Sequence, residues 1–280
     1  MPDAGSTAVL PRRPLTVGEV LDSAVLLLRD HVAVLLPLGL VLAVGEQVLL
    51  HPLRAAADTR PPTWILGFHD FGPFWLLLAV GAAAEAVIIL LLGNPAARAA
   101  AAALAGRRAG ARELLRPSGA RWAATALTAG PVALVMVAAA LLGPFWLIGF
   151  ALLGGVASAL VVDRVTGYRA LPRSATLALR GGGRAGGLRL LGYLVWWIVR
   201  VGLGTGAYLG LESVGLLDDD WAVRLSLALW AAVNAVAYPA LACLDAVLHL
   251  ETRMRGEGLD IRLSRARPGI PEHAVLGVDR

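Results

Sequence analysis

Lysine is absent from this sequence of 280 residues, and all 25 basic residues are arginines. Cysteine occurs once, as Cys243, so no intramolecular disulfide can form. Charged residues make up only 16% of the chain, whereas hydrophobic residues make up 58%, above the roughly 45–50% of an ordinary soluble domain. The mean hydropathy of +0.70 therefore favours a protein whose solvent is a lipid bilayer. The N-terminal residues, MPDAGSTAVLPRRPL, lack the apolar core that a signal peptide requires.

Six long apolar runs predict an all-α membrane bundle of six transmembrane helices. Each run is about 18–24 residues long, which is enough to cross ~30 Å of hydrocarbon at about 1.5 Å per residue. The third and fourth runs form a hairpin around Gly143-Pro144, a helix-breaking pair. We expect a membrane domain at 15–260, between a disordered N-terminus at 1–14 and a flexible tail at 261–280. The predicted spans are 32–50, 74–92, 122–142, 145–162, 190–211 and 221–244.

The arginines predict which side of the membrane each loop occupies. Of the 25 arginines, 21 lie in the N-terminal segment, in the loops after the second and fourth spans, and in the tail. The opposite side has only Arg54 and Arg60, with Arg224 just inside the last span. The positive-inside rule then predicts a multi-pass protein of the cell membrane with both termini in the cytoplasm. Because these arginines are spread over four segments rather than gathered in one patch, they do not indicate a nucleic-acid surface. Those near the membrane should attract anionic lipid.

An amphipathic helix is predicted before the first span. Thr16 and Glu19 match the capping box S/T-x-x-E, which satisfies the free N–H groups at a helix start. Glu19 and Asp22 lie mostly off the apolar stripe of this helix. Helical spacing predicts that the stripe consists of Val17, Val20, Leu21, Ala24, Val25 and Leu28.

The same kind of segment recurs before the fifth span, where it contains Arg173 and Ser174. Residues 174–180 repeat five of the seven residues at 23–29, and 110–121 is a weaker third copy. We therefore predict three units, each a cytoplasmic in-plane helix followed by a transmembrane hairpin.

Charge is concentrated near the end of the chain, in the stretch AVLHLETRMRGEGLDIRL at 246–263. Two pairs with a spacing of four residues, Glu251 with Arg255 and Arg253 with Glu257, support a helix end that terminates at Gly258. Charge runs usually lie on solvated surfaces, so we interpret this block as a solvated cytoplasmic helix end that holds the last span in register. The alternative is a docking motif for a partner protein.

Three patches, at 13–31, 170–181 and 251–260, resemble an actinobacterial family of six-span membrane proteins. The family is labelled as the membrane domain of glycerophosphoryl diester phosphodiesterases, or as a domain of unknown function. His249-Leu250 replaces a tyrosine pair usual in the family, and Ala175 stands where an aromatic residue often occurs. The closing motif of the family is an acidic residue, Arg-x-Arg and Glu-Gly-x-Asp, which correspond here to Glu251, Arg253, Arg255, Glu257, Gly258 and Asp260.

This resemblance implies a six-span fold more than an activity. Phosphodiesterases of that name carry a separate soluble barrel with paired histidines and a metal-binding acid cluster. The longest stretches outside the predicted spans, of about 30 residues, are too short for a catalytic domain of ordinary size. We therefore expect no hydrolase activity from this chain.

Three ionisable residues lie inside the apolar runs. Glu46, Glu85 and Arg200 would each cost at least ~2.5–3.5 kcal/mol if they faced lipid, so each should have a partner. We favour a pair between Arg200 and Glu85, with Glu46 as the rival partner. Such a group is either a structural ion pair or a polar pocket for an anionic headgroup or solute. Asn234, in the last span, is expected to form an interhelical hydrogen bond.

Glycines in and before the fifth span predict close packing and a joint. Gly202, Gly206 and Gly210 form a double GxxxG on a face separate from Arg200, and we expect them to pack within the bundle rather than in a dimer. The stretch GGGRAGG at 181–187 lacks the Gly-Lys-Ser/Thr ending of a phosphate loop. It is interpreted as a flexible joint before the span.

No Ser-His-Asp, Cys-His or paired-carboxylate constellation is recognisable, so we expect no enzyme, no metal and no cofactor. His51, His69 and Asp70 lie in the predicted outer loop, but their spacing matches no specific metal site. A membrane enzyme acting on lipid headgroups would have as its only candidates Asp163, Arg164, Asp245 and His249.

Two functions rank above that enzyme. The first is a non-catalytic membrane protein that anchors, organises or assists partner proteins, which the arginine-rich cytoplasmic segments support. The second is a transporter or lipid-handling protein with a polar intramembrane pocket around Arg200, Glu85 and Glu46. Both would contact membrane lipids, anionic ones at the cytoplasmic face, and neither would bind nucleic acid.

Overall fold

A computed structural model describes residues 10–59, 61–62, 71–117, 121–216, 219–265 and 276–277. These residues form ten α-helices and no β-strand. The helices are α1 Val17–Asp30, α2 Val32–Ala56, α3 Phe71–Leu104, α4 Ala111–Leu115, α5 Trp122–Leu141, α6 Trp146–Leu153, α7 Val156–Val161, α8 Gly167–Ser213, α9 Asp219–Glu257 and α10 Leu259–Arg265.

Five of these helices, α2, α3, α5, α8 and α9, are long and apolar enough to cross a membrane. The described part of the chain is therefore all-helical, and these long apolar helices are typical of a membrane protein. The predicted sixth span is not one continuous helix: α6 and α7 together cover Trp146–Val161 and are separated at Gly154-Gly155. At about 1.5 Å per residue this segment covers roughly 24 Å, less than the ~30 Å of hydrocarbon. The prediction of six full spans is thus not confirmed.

The break between α6 and α7 lies where polar side chains of α8 and α9 approach the backbone. A Cβ atom added to Gly154 would lie 2.6 Å from Oδ2 of Asp245, and one added to Gly155 would lie 2.9 Å from Nη2 of Arg189. The last carbonyls of α6 have no partner within their own helix. One of them, Leu152, accepts a 2.6 Å hydrogen bond from Ser174 Oγ. At the break, the backbone of α6 therefore lacks helical hydrogen bonds and contacts α8 instead.

The long helix α8 consists of two helices joined at a kink. Gly181, Gly182 and Gly183 have φ values of 60°, 74° and 78°, a left-handed conformation that glycine adopts readily. The GGGRAGG stretch is therefore a joint between the two parts, as its composition predicts. The part before the joint packs against the C-terminal end of α9, and the part after it runs through the bundle.

The helix α9 is the centre of the bundle, in contact with α1, α2, α3 and α8. Every residue from Leu241 to Met254 is buried. The predicted solvated helix end at 246–263 is therefore wrong for its first nine residues. The composition of a charge run predicts a solvated surface, but here the helices around α9 cover this stretch.

The helix α1 begins with the predicted capping box: Thr16 accepts from the Glu19 N–H, and the Glu19 side chain accepts from the Thr16 N–H. Its protein-facing side consists of Val20, Ser23, Ala24 and Leu27. Of the predicted apolar stripe, Val20 and Ala24 face the protein, whereas Val17, Leu21 and Val25 are exposed. An apolar residue set this broad offers two adjacent stripes, and only the neighbouring helices decide which one is covered.

Two predicted flexible ends are partly ordered by contacts. Leu10 is buried, and Arg12 Nε donates to the Leu104 carbonyl at 2.9 Å, so the expectation of a disordered 1–14 is wrong from residue 10 onward. In the tail, residues up to Arg265 are helical and Leu276 is buried. Both ends contact the bundle, and in the tail the Leu276 carbonyl accepts a 2.6 Å hydrogen bond from Arg253.

The predicted packing of the double GxxxG is also wrong. A Cβ atom at Gly202, Gly206 or Gly210 would meet no described atom within 4 Å. The contact with α9 is made instead by Gly204, which lies against Trp230. The face with the three regularly spaced glycines is exposed, since α8 turns its other side to the bundle.

Candidate functional site

Buried polar residues follow one face of α9. Asn234, Tyr238, Asp245, His249 and Arg253 are separated by four or seven residues, the spacing that places side chains on one side of a helix. All five are buried. The first two belong to a cavity between helices, and the last three belong to a cluster of ion pairs near the end of α9.

The cavity has a volume of about 390 Å³ and lies among α2, α3, α8 and α9, with the start of α6 at its edge. This volume is within the range of about 300–1,000 Å³ typical of ligand sites. Its lining is mainly apolar and aromatic, with a few convergent polar groups. The polar lining residues are Glu46, Gln47, Arg54, Glu85, Tyr193, Arg200, Asn234 and Tyr238.

Arg200 forms an ion pair with Glu85, 2.6 Å from Nη1 to Oε1. Tyr193 Oη donates to the other carboxylate oxygen of Glu85 at 3.0 Å. The Arg200 guanidinium also lies 5.5 Å from the ring centroids of Tyr193 and Tyr238, within cation–π distance of both. Both residues of the pair are buried, so the aromatic rings and the opposite charge replace the water each would lose.

Glu46 is held by neutral donors. Tyr238 Oη lies 2.7 and 2.8 Å from its two carboxylate oxygens, and Asn234 Nδ2 donates at 3.0 Å. Gln47 Nε2 contributes a longer bond of 3.3 Å, and its own carbonyl accepts from Arg54 at 2.8 Å. The structure therefore brings all four predicted intramembrane residues to one cavity, with Glu85 rather than Glu46 as the ion-pair partner of Arg200.

The second cluster is centred on Asp163, in the loop between α7 and α8. Its carboxylate lies 2.9 Å from His249 Nε2, 2.8 Å from Arg253 Nη1 and 2.8 Å from Arg173 Nε. Burial on its own would raise the pKa of Asp163, but His249, Arg253 and Arg173 more than offset it and hold the pKa well below its ordinary value. Asp163 is thus an ionised, fully enclosed anchor.

The acidic residues of the closing motif extend this cluster. Glu257 accepts two bonds from Arg173, at 2.6 and 2.7 Å, and further bonds from Arg180 and Arg253. The predicted pair of Arg253 with Glu257 is present at 3.1 Å. The bidentate geometry with Arg173 gives the contact both direction and strength. The end of α9 is thereby joined to the first part of α8.

Glu251 joins the same helix end to the N-terminal segment. It accepts from Arg184 and Arg255, both at 2.7 Å, and the second contact is the other predicted pair. The same two arginines donate to the Leu15 carbonyl at 3.1 and 2.8 Å. Glu251 is 1% exposed, so this is an internal bridge rather than a free docking surface.

The remaining motif residues lie at the edge of the cluster. Ser174 binds the break in α6, as described above, and Gly258 has a φ of 60° between α9 and α10. Asp22 is exposed on α1, and Asp260 is half-buried at the start of α10. These two residues have no polar contact among those the described ranges show.

The inner-surface residues considered for an enzyme do not form an open site. Asp163 and His249 are in contact but their side chains are 0% exposed. Asp245 pairs with Arg189 at 3.0 Å beside a small cavity of about 20 Å³, room for about one water molecule. Arg164 is exposed and lies outside the group. The side chains of Asp163 and His249 are therefore closed off by the described residues around them.

Several cavity residues were missed by the sequence analysis. Gln47 follows Glu46 directly, and Arg54 lies seven residues after Gln47, on the same side of α2. Tyr238 lies one turn after Asn234, a spacing that could have identified it. Tyr193 lies seven residues before Arg200 on α8, and this spacing could have identified it in the same way.

The three sequence patches at 13–31, 170–181 and 251–260 meet in this cluster of ion pairs. Leu15 comes from the first patch, Arg173 and Arg180 from the second, and Glu251 and Glu257 from the third. Of the residues predicted not to form a metal site, His51 is exposed. His69 and Asp70 lie outside the described residues. No protein-family model, curated protein or solved structure matches this chain.

Proposed function

We propose that this chain is a transporter or lipid-handling protein that binds a polar ligand in the cavity around Arg200, Glu85 and Glu46. The observation that carries this proposal is the combination of volume and chemistry. A cavity of about 390 Å³ contains two buried acids and two buried arginines at membrane depth, on three different helices, α2, α3 and α8. Ionisable residues inside a membrane are costly, and they usually mark a pathway or a binding site.

The proposed topology is a six-pass protein of the cell membrane with α6–α7 as a short, broken pass. Both termini, α1 and the ion-pair cluster are placed in the cytoplasm by the arginine distribution. The exposed apolar residues Val17, Leu21 and Val25 support an in-plane position for α1, with this face on lipid. Exposed arginines such as Arg112 would contact anionic headgroups.

The topology is testable with single cysteines in the Cys243→Ala background. Asp58→Cys, after α2, should react with a membrane-impermeant maleimide added outside intact cells. Arg112→Cys, in α4, should react only after the membrane is permeabilised. The reverse pattern would contradict the proposed orientation.

Ligand binding is testable by native mass spectrometry of the protein extracted from its own membrane. We expect the wild type to retain one non-protein ligand, and Arg200→Leu to lose it. Arg112→Leu removes an exposed arginine of the same charge and should retain the ligand. Equal spectra for all three proteins would argue against the cavity as a binding site.

A second candidate function is anchoring or organising partner proteins without catalysis. It is favoured by the exposed face of α8, where Gly202, Gly206 and Gly210 meet no described atom. Such glycines allow another transmembrane helix to approach closely. Gly206→Leu should then abolish a protein complex captured by in-membrane cross-linking, whereas Gly187→Leu, on the same helix but outside the stripe, should not.

A further inference from the structure

We propose that the cavity receives its ligand sideways from the bilayer, between α3 and α8, and that the ligand is a zwitterionic phospholipid with a primary ammonium headgroup. This inference rests on the proposed function, namely that the cavity binds a ligand at all. It adds the route, the chemical class and the position of the acyl chains.

The route follows from how the helices pack. The helix α3 packs along α5 and α9, and α8 packs along α9 and α6, but α3 and α8 make almost no backbone contact within the described residues. The hairpin of α5 and α6 fills the space between them. Because α6 begins only at Trp146, which lines the cavity, α3 and α8 face each other across the cavity beyond that point. Contact there is limited to long side chains, such as Arg200 reaching Glu85.

The rim of this opening suits acyl chains. Leu78 of α3 and Trp197 of α8 both line the cavity, yet they are 46% and 48% exposed. A half-exposed apolar residue on a spanning helix faces hydrocarbon. At the outer end, Trp230 also lines the cavity, and its Nε1 donates to the Pro62 carbonyl at 3.0 Å, which brings Pro62 to that end. The side opening is therefore the apolar one.

The polar end of the cavity favours a headgroup without net charge. The formal charges of its two arginines, Arg54 and Arg200, are balanced by those of Glu46 and Glu85. A ligand with a net charge would leave that charge uncompensated in a medium of low polarity. A zwitterion keeps the balance, since each of its charges finds an opposite partner.

Free hydrogen-bonding capacity indicates how the zwitterion is oriented. A carboxylate offers about four acceptor sites. Glu46 accepts hydrogen bonds only from Tyr238, from Asn234 and, at the longer distance of 3.3 Å, from Gln47. It can therefore accept one more N–H, which a primary ammonium supplies and a quaternary one does not. Arg200 Nε is buried without a hydrogen-bond partner in the described part of the chain and is the donor for the phosphate.

The test is titration of the delipidated protein with defined lipids, followed by native mass spectrometry. Phosphatidylethanolamine should bind with a 1:1 stoichiometry. Phosphatidylglycerol and phosphatidylcholine should each bind about tenfold more weakly, the difference expected for one hydrogen bond to a charged group. Glu46→Gln, nearly identical in shape, should reduce the preference for phosphatidylethanolamine by a similar factor. Equal binding of the three lipids would overturn the assigned headgroup.

A matched pair of variants tests the route. Leu78→Trp places bulk at the opening and should reduce phosphatidylethanolamine binding, whereas Leu76→Trp, on the same helix with the same 46% exposure but outside the cavity lining, should not. Glycerophosphoethanolamine, the same headgroup without acyl chains, should fail to compete. Competition by this soluble compound, unaffected by Leu78→Trp, would overturn lateral entry while leaving a binding cavity intact. If Arg200→Leu did not reduce the binding of any lipid, the proposed function itself would be wrong.

Discussion

The guanidinium of Arg253 lies 2.8 Å from the carboxylate of Asp163, and both side chains are almost completely enclosed. The contact joins α9 to the loop between α7 and α8. The charged stretch at the end of α9 is therefore an internal anchor, at which the N-terminal segment, α8 and α9 meet.

Replacing Arg253 by leucine should be among the most destabilising single changes in the chain. It leaves Asp163 buried beside fewer cations, and removing one partner of a buried pair costs about 3–5 kcal/mol. Thermal unfolding in detergent, monitored by circular dichroism, should show a clearly lower midpoint. Arg112→Leu, at an exposed site, should change the free energy of unfolding by no more than about 0.5 kcal/mol. Equal midpoints would contradict an anchoring role for Arg253.

The pair of Arg200 and Glu85 should show strong coupling in a double-mutant cycle. Arg200→Leu alone leaves the Glu85 charge buried and should cost about 3–5 kcal/mol, whereas the double variant with Glu85→Leu should recover most of this loss. The measurement is the free energy of unfolding of the four proteins in one detergent. Simple additivity of the two single effects would show that the two charges do not depend on each other.

Gly154→Ala should destabilise the protein, because the new Cβ would lie 2.6 Å from Oδ2 of Asp245. Overpacking of this kind typically costs about 1–3 kcal/mol. Gly130→Ala is the matched control: it lies inside α5 with nothing within 4 Å, so alanine should be neutral or stabilising by roughly 0.5–1 kcal/mol. If both substitutions behaved alike, the close approach of Asp245 would not explain the break in α6–α7.

The start of α1 should loosen in acid. A hydrogen bond from Arg13, followed by those from Thr16, lowers the pKa of Glu19 to about 2, so the ionised form is favoured in the folded state. The resulting stabilisation is fully present above the unfolded pKa of about 4.3 and is lost as the pH falls towards 2. Hydrogen exchange of the first-turn amides should therefore gain protection between pH 2 and about 5. Glu19→Gln should remove this pH dependence, and an unchanged profile in that variant would disprove the assignment.

Part of the candidate site could be predicted from the sequence, because burying a charge in a membrane is costly in any tertiary structure. Glu46, Glu85 and Arg200 were identified on that ground alone, and the structure places them in one cavity. Tyr193 could not be identified in this way, since its importance depends on lying 3.0 Å from Glu85, a residue 108 positions away. The cavity itself has no local signal, because its shape comes from the distance between α3 and α8.

The sequence by itself determined the helices, the capping box at Thr16, the joint at Gly181–Gly183 and the need for buried partners. These properties depend on apolar run length, on local hydrogen bonding and on the cost of charge in hydrocarbon. Only the tertiary structure decided that α6–α7 is broken, which side of α1 is covered, and that the closing charges are internal. Those outcomes depend on which distant side chains meet, and Arg253 becomes an anchor only because the fold carries Asp163 to it.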